Sequence, residues 1–225
     1  MSNDLSFGDD GMRDEPTSLG FTKELMDEIN EQKVANPGMF VSAWQEDEMG
    51  IEKQHKDEPL EDFLTAAEEG DLEKVASFLK LNPTMINAFD EDGYTALHRA
   101  AYNNHIPVID FLLKQGADAE ARTNDGWTPL LSAANWANFE VIGCLLSHGV
   151  DPNALSHGRV SALHLAIQSK NEIEDCIIQS VRYLLQAPGI IPDVVSGSGD
   201  KPIDLAHRSS RIIYEMLNNF INGPL

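Results

Sequence analysis

Seven histidines, two cysteines and 37 carboxylates are available for chemistry in this 225-residue chain. They would serve metal ligation or general acid–base catalysis, and both demand particular spacings. No Cys/His or Glu-x-x-His spacing completes a zinc site. Cys144 sits among Ile142, Leu145 and Leu146 and reads as a small core residue rather than a reactive thiol. No catalytic residue, metal or cofactor is therefore expected. The unusual chemistry lies elsewhere, in "DGWTPLLSAANW", residues 125–136, where Trp127 and Trp136 both fall out of phase with the apolar residues around them. Large aromatics off the core face point to recognition rather than catalysis.

Charge narrows the partners. The formal net charge is -21, and nucleic-acid affinity comes largely from Lys and Arg displacing counterions, so direct DNA or RNA binding is excluded. The opening "MSNDLSFGDDGMRDEP" has no charged start followed by an apolar segment, and no later run reaches the length of a membrane span. Two cysteines are too few for a disulfide framework. A monomeric, soluble, intracellular protein without membrane contact is expected.

Residues 1–58 carry 15 acids against 5 bases, and residues 59–225 carry 22 against 11. The first stretch lacks apolar periodicity and reads as an acidic, mostly disordered leader. Two islands interrupt it. "FTKELMDEINEQKV" puts Phe21, Leu25 and Ile29 on one helical face, and "PGMFVSAWQEDE" sets Phe40, Val41 and Trp44 before an acidic run as a candidate linear motif. Either the islands dock on the neighbouring folded surface or they fold onto a partner.

From residue 60 the chain repeats. Phe63/Ala66/Ala67, Leu97/Ala100/Ala101, Leu130/Ala133/Ala134, Leu163/Ala166/Ile167 and Ile203/Ala206 form one series, with leading residues 34, 33, 33 and 40 apart. A second series follows each about twelve positions on: Val75/Phe78/Leu79, Ile109/Leu112/Leu113, Ile142/Leu145/Leu146, Val181/Leu184/Leu185 and Ile213/Met216/Leu217. Each unit reads as a turn, a short helix, a tight loop and a second helix. Thr128-Pro129 marks a helix start, and Gly116 and Gly149 mark helix ends. Helices of about eight to ten residues do not stand alone in water, so they must stack, and the paired alanines allow close approach.

"DGYTALHRAAYNNHIPVIDFLLKQGADAEA" and "DGWTPLLSAANWANFEVIGCLLSHGVDPNA" resemble ankyrin repeats. The resemblance covers residues 60–221 and implies an all-α solenoid of five units, about 60–89, 90–122, 123–155, 156–195 and 196–221, joined by short β-turn or hairpin connections. The end units are degenerate, and "SKNEIEDCIIQS" adds about six residues to unit four. The resemblance implies that His98 and His164 make structural hydrogen bonds from turn to helix, a slot that unit three fills with Leu131. It also implies that Trp127 and Trp136, with Tyr94 and Tyr102 one unit earlier, face the concave groove where ankyrin arrays bind partners. Asn103 and Asn135 accompany them, and Glu68, Glu69, Glu91, Asp92, Asn124 and Asp125 supply an acidic rim. An aromatic centre with such a rim suits a basic, partly apolar protein partner. The alternative is that the aromatics pack on one another or under the leader.

The expected function is a non-enzymatic adaptor in the nucleus or cytoplasm, and the resemblance implies a nuclear, transcription-associated role that would act through protein partners. The rival is a holding or assembly chaperone for a basic subunit, which would release it when a complex is complete. Asn87 and Asn153, each before an alanine, are candidates for asparagine hydroxylation on the same resemblance.

Overall fold

The computed structural model describes residues 58–223. The leader, with Phe40, Val41 and Trp44, lies outside the described residues. Within them, helices come in pairs: α1 (Glu58–Glu69) with α2 (Leu72–Leu81), α3 (Ala96–Tyr102) with α4 (Ile106–Lys114), and α5 (Pro129–Asn135) with α6 (Phe139–Ser147). Then come α7 (Ala162–Ile167) with α8 (Glu174–Gln186), and α9 (Pro202–Ser209) with α10 (Arg211–Asn222). A single 3-10 turn, Pro83–Asn87, follows α2. Among the described residues β pairing amounts to two isolated bridges, Phe89 with Thr95 and Leu155 with Ser161, each closing the turn before a first helix.

Local chemistry starts and stops these helices. Thr128 caps α5 by accepting the Leu131 N–H at 3.4 Å, and Pro129 takes the first helical position, where its missing N–H costs nothing. The first helices α3, α5 and α7 have only seven, seven and six residues, shorter than the sequence suggests. Asn104 and Ala137 explain two of these early stops: each lies just past the helix with positive φ, 62° and 53°, which turns the chain. Gly116 and Gly149 end the second helices at φ 92° and 81°, as expected.

The first helices stack on one another in one layer and the second helices in another. Phe63, Leu97, Leu130 and Leu163 are buried between successive pairs, and the alanines beside them are equally enclosed. In the second series Val75, Ile109, Ile142, Val181 and Ile213 are buried, while Phe78, Leu113, Leu146 and Met216 are half-buried at the edge of the core.

Two sets of polar bonds hold neighbouring units in register. At the loop between the helices of a pair, a side chain reaches back to the preceding first helix. His105 Nε2 donates to the Glu68 carbonyl at 2.7 Å, Asn138 donates to the carbonyls of Ala101 and Tyr102 at 2.9 and 2.8 Å, and Asn171 donates to that of Trp136 at 3.0 Å. At the turn tips the backbone pairs instead: Asn124 N–H to the Asp92 carbonyl, His157 N–H to that of Asp125, and Gly197 N–H to that of Gly158. This approach is close enough that a Cβ on Gly93 would lie 2.9 Å from the backbone of both Thr123 and Asn124.

The insertion in unit four has a definite place. The loop before α8 spans residues 168–173, against 136–138 before α6, and α8 has 13 residues against nine. The extra chain is thus divided between a longer loop and one additional turn at the start of α8.

Candidate partner-binding site

The first helices and the turns before them present one face, and the residues singled out by the sequence meet there unevenly. Tyr102, the last residue of α3, and Trp136, the C-cap of α5, make an edge-to-face pair with ring centroids 4.7 Å apart and an interplanar angle of 62°. The stacking of α3 on α5 brings them together although 34 positions separate them. Trp136 stays 36% exposed, so the pair is open to solvent on one side.

Tyr94 and Trp127 do not join that pair. Tyr94 lies edge-on over the His98 ring at 5.7 Å, and Trp127 is half-buried and packs on the core. Burial raises the Tyr94 phenol, and the carboxylates of Asp125, Asp90 and Asp92 raise it further, with Tyr102 also contributing. The Tyr102 phenol is raised by burial and by Glu68. Both rings therefore sit in a field of negative charge that opposes their ionisation.

The rim residues do more structural work than the sequence suggested. Asn124 ties two turns together, donating its side-chain N–H to the Glu91 carbonyl at 2.8 Å while its backbone N–H bonds Asp92. Asn103 donates to the Arg99 carbonyl at 3.3 Å and so closes the end of α3. Asn135 is half-buried beside Trp136. Glu91, Asp92 and Asp125 carry exposed side chains at the turn tips, and Glu69 is exposed at the end of α1. Glu68 is drawn partly into an ion cluster.

That cluster was missed by the pattern of apolar positions. Arg99, on α3, is only 5% exposed and holds three acids: Glu61 Oε1 at 2.9 Å, Asp90 Oδ2 at 2.8 Å and Glu68 Oε2 at 3.4 Å. Asp90 also accepts the N–H groups of Asp92 and Tyr94 through Oδ1, so one carboxylate holds both the turn and the arginine. Burial opposes the Arg99 charge, yet the hydrogen bonds it donates to Glu61 and Asp90 hold its pKa above the ordinary value. The available signal was a charged residue inside the alanine-rich stretch "HRAAY", which is costly unless paired.

His98 and His164 are turn-to-helix connectors. The Thr95 N–H donates to His98 Nδ1 at 3.2 Å, so Nε2 carries the proton and donates to the Trp127 carbonyl at 3.0 Å. His164 repeats this between the Ser161 N–H and the Asp200 carbonyl. Burial pushes His98 down to about 4 and lowers His164. Among the described residues no group of three or more His, Cys, Asp or Glu could hold a metal, and no helix is long and apolar enough to cross a membrane. Asn87 and Asn153 are both engaged, accepting the N–H groups of Asp118 and Ile191 in the next unit at 2.8 Å.

Comparison with known proteins agrees with this architecture. The ankyrin-repeats family model, in three copies, matches residues 63–156. The chain is 40% identical over 99 residues to ankyrin repeat domain-containing protein 49 of Drosophila melanogaster, covering 43% of this chain and 46% of that protein. The human protein of that name is 43% identical over 72 residues, covering 32% and 30%. The human NAD-capped RNA hydrolase NUDT12 is 37% identical over 68 residues, covering 30% of this chain but 15% of the hydrolase. The matches therefore span less than half the length of these relatives. Stacked helix pairs and histidine-tied turns agree with the matched segment, which shows ankyrin repeats over residues 63–156.

Proposed function

We propose that the chain is a non-enzymatic adaptor that binds a basic, partly apolar protein segment on the face formed by its first helices and turns. Ankyrin repeats in general bind proteins, and the observation that carries the finer reading is the Tyr102–Trp136 pair, open to solvent and with Glu68 near enough to act on the Tyr102 phenol. A partly exposed tryptophan beside a second ring supplies large contact area at little conformational cost, as binding hot spots do. Glu69, Glu91, Asp92 and Asp125 would attract a basic partner during encounter. Action through such partners in the nucleus or cytoplasm, including a transcription-associated role, belongs to the same proposal.

The test pairs proximity labelling with a titration. Proteins labelled by the wild type and lost from a Trp127→Ala/Trp136→Ala control are the candidate partners, and each is then titrated against single variants. Trp136→Ala is expected to leave helical circular dichroism and melting temperature nearly unchanged while weakening binding by about 2 kcal/mol or more, roughly thirtyfold. Trp127→Ala should cost more stability, because Trp127 packs on the core. A strongly lowered melting temperature for Trp136→Ala, with affinity retained in the folded fraction, would falsify the reading.

A further inference from the structure

The lengthened loop of the fourth helix pair is tied to the backbone of the open tryptophan. Asn171, in the lengthened loop, donates its side-chain amide to the Trp136 carbonyl at 3.0 Å and accepts the Ile173 N–H through Oδ1 at 2.9 Å. One asparagine thus holds the backbone of Trp136 and that of Ile173 on either side of itself. Ile173, at the end of this tied loop and the N-cap position of α8, is 59% exposed. Around it Glu172, Glu174 and Asp175 are exposed, and Lys170 is the single base of that loop and first turn.

We infer that this lengthened loop and the added turn of α8 form one edge of the binding face, seating an apolar side chain flanked by basic residues in a partner polypeptide. The inference rests on the reading of the Tyr102–Trp136 face as a binding site. Charge complementarity selects the occupant. An apolar anchor alone would gain from Trp136 and Ile173, but a segment that also carried acids would meet three carboxylates against one lysine. A second copy of this chain would bring the same net charge of -21 and is disfavoured on that ground. The insertion thereby has a use that stacking does not need, since α6 packs on α4 with a loop of half the length.

The experiment uses the full chain and three short synthetic peptides: one alternating arginine with leucine, one alternating arginine with serine at equal charge, and one alternating glutamate with leucine. Fluorescence anisotropy is expected to give the tightest binding for the arginine–leucine peptide. Ile173→Ser should weaken it about tenfold or more, as should Trp136→Ala. Ile191→Ser, which removes another exposed isoleucine (50% against 59%) from a different loop, should leave it unchanged. Circular dichroism verifies that each variant is folded. If Trp136→Ala weakens binding but Ile173→Ser does not, the edge inference fails and the binding-face reading stands. If neither variant matters, both fail. Equal affinity for the arginine–serine peptide would reduce the contact to charge alone and overturn the apolar seat. A concentration-dependent dimer in sedimentation that Ile173→Ser abolishes would assign the edge to a second copy and overturn the inference as well.

Discussion

Arg99 and His98 are adjacent on α3 and point to opposite consequences of burying a cation. Arg99 keeps its charge because three acids surround it, whereas His98 stays neutral because its partners suit the uncharged ring. Arg99→Met would keep the stem and leave Glu61, Glu68 and Asp90 facing one another. The loss should be about 2–3 kcal/mol in urea unfolding, less than for a wholly enclosed ion pair because Glu61 and Glu68 reach solvent. Adding Glu61→Gln and Glu68→Gln should recover part of it, and a loss near zero would show that the cluster is structurally idle. His98 gives a pH dependence. Its folded pKa is about 4 and its ordinary value 6.5, so the unfolded chain binds the proton more readily. The neutral form's contribution is fully present above about pH 6.5 and is lost as pH falls toward 4, amounting to about 3 kcal/mol. His164 shifts in the same direction. Melting temperatures of wild type and His98→Gln should therefore converge as pH drops from 7 to 4.5, and parallel curves would contradict the assignment.

The helices of this chain are not stable objects by themselves. At six or seven residues, α3, α5 and α7 complete fewer than two turns, and their stability comes from the apolar residues shared with the helices on either side. Leu130 is central to this arrangement: it is 1% exposed within a helix that touches both α3 and α7. Leu130→Ala is expected to cost about 2–5 kcal/mol, since the neighbouring alanines have little side chain with which to fill the space. An unfolding free energy lowered by less than about 1 kcal/mol in denaturant titration would refute the burial of this face. The helix phases and caps were readable in advance because they depend on residues three or four apart. The shortness of the first helices was not, because the turn at Ala137 places a non-glycine residue at positive φ, which local preference argues against and tertiary packing overrides.

At the scale of the whole molecule, charge would govern encounter with the proposed basic partner. With a net charge of -21, association with a basic partner should slow and affinity should fall as salt rises, since exposed charges are screened within about 8 Å at physiological ionic strength. Stopped-flow and equilibrium titrations over a salt series check this, and salt-independent binding would leave the aromatic pair as the sole determinant. The amino-acid sequence by itself determined that the chain forms a stacked array, because a 33-residue period of short amphipathic pairs has no other way to bury its apolar faces. It also determined the capped helix starts and the glycine ends, while the structural use of His98 and His164 followed from the resemblance to ankyrin repeats. Only the tertiary structure decided that Arg99 meets Glu61 and Asp90, that Tyr102 pairs with Trp136 while Tyr94 covers His98, and that Asn171 fastens the fourth loop to Trp136. Most of these contacts join residues about one repeat apart, and Arg99 with Asp90 and Tyr94 with His98 join a turn to the helix after it. Sequence spacing places such residues at equivalent heights in the stack. Which side chains touch is then settled by the offset between neighbouring units and by the rotamers that packing leaves open.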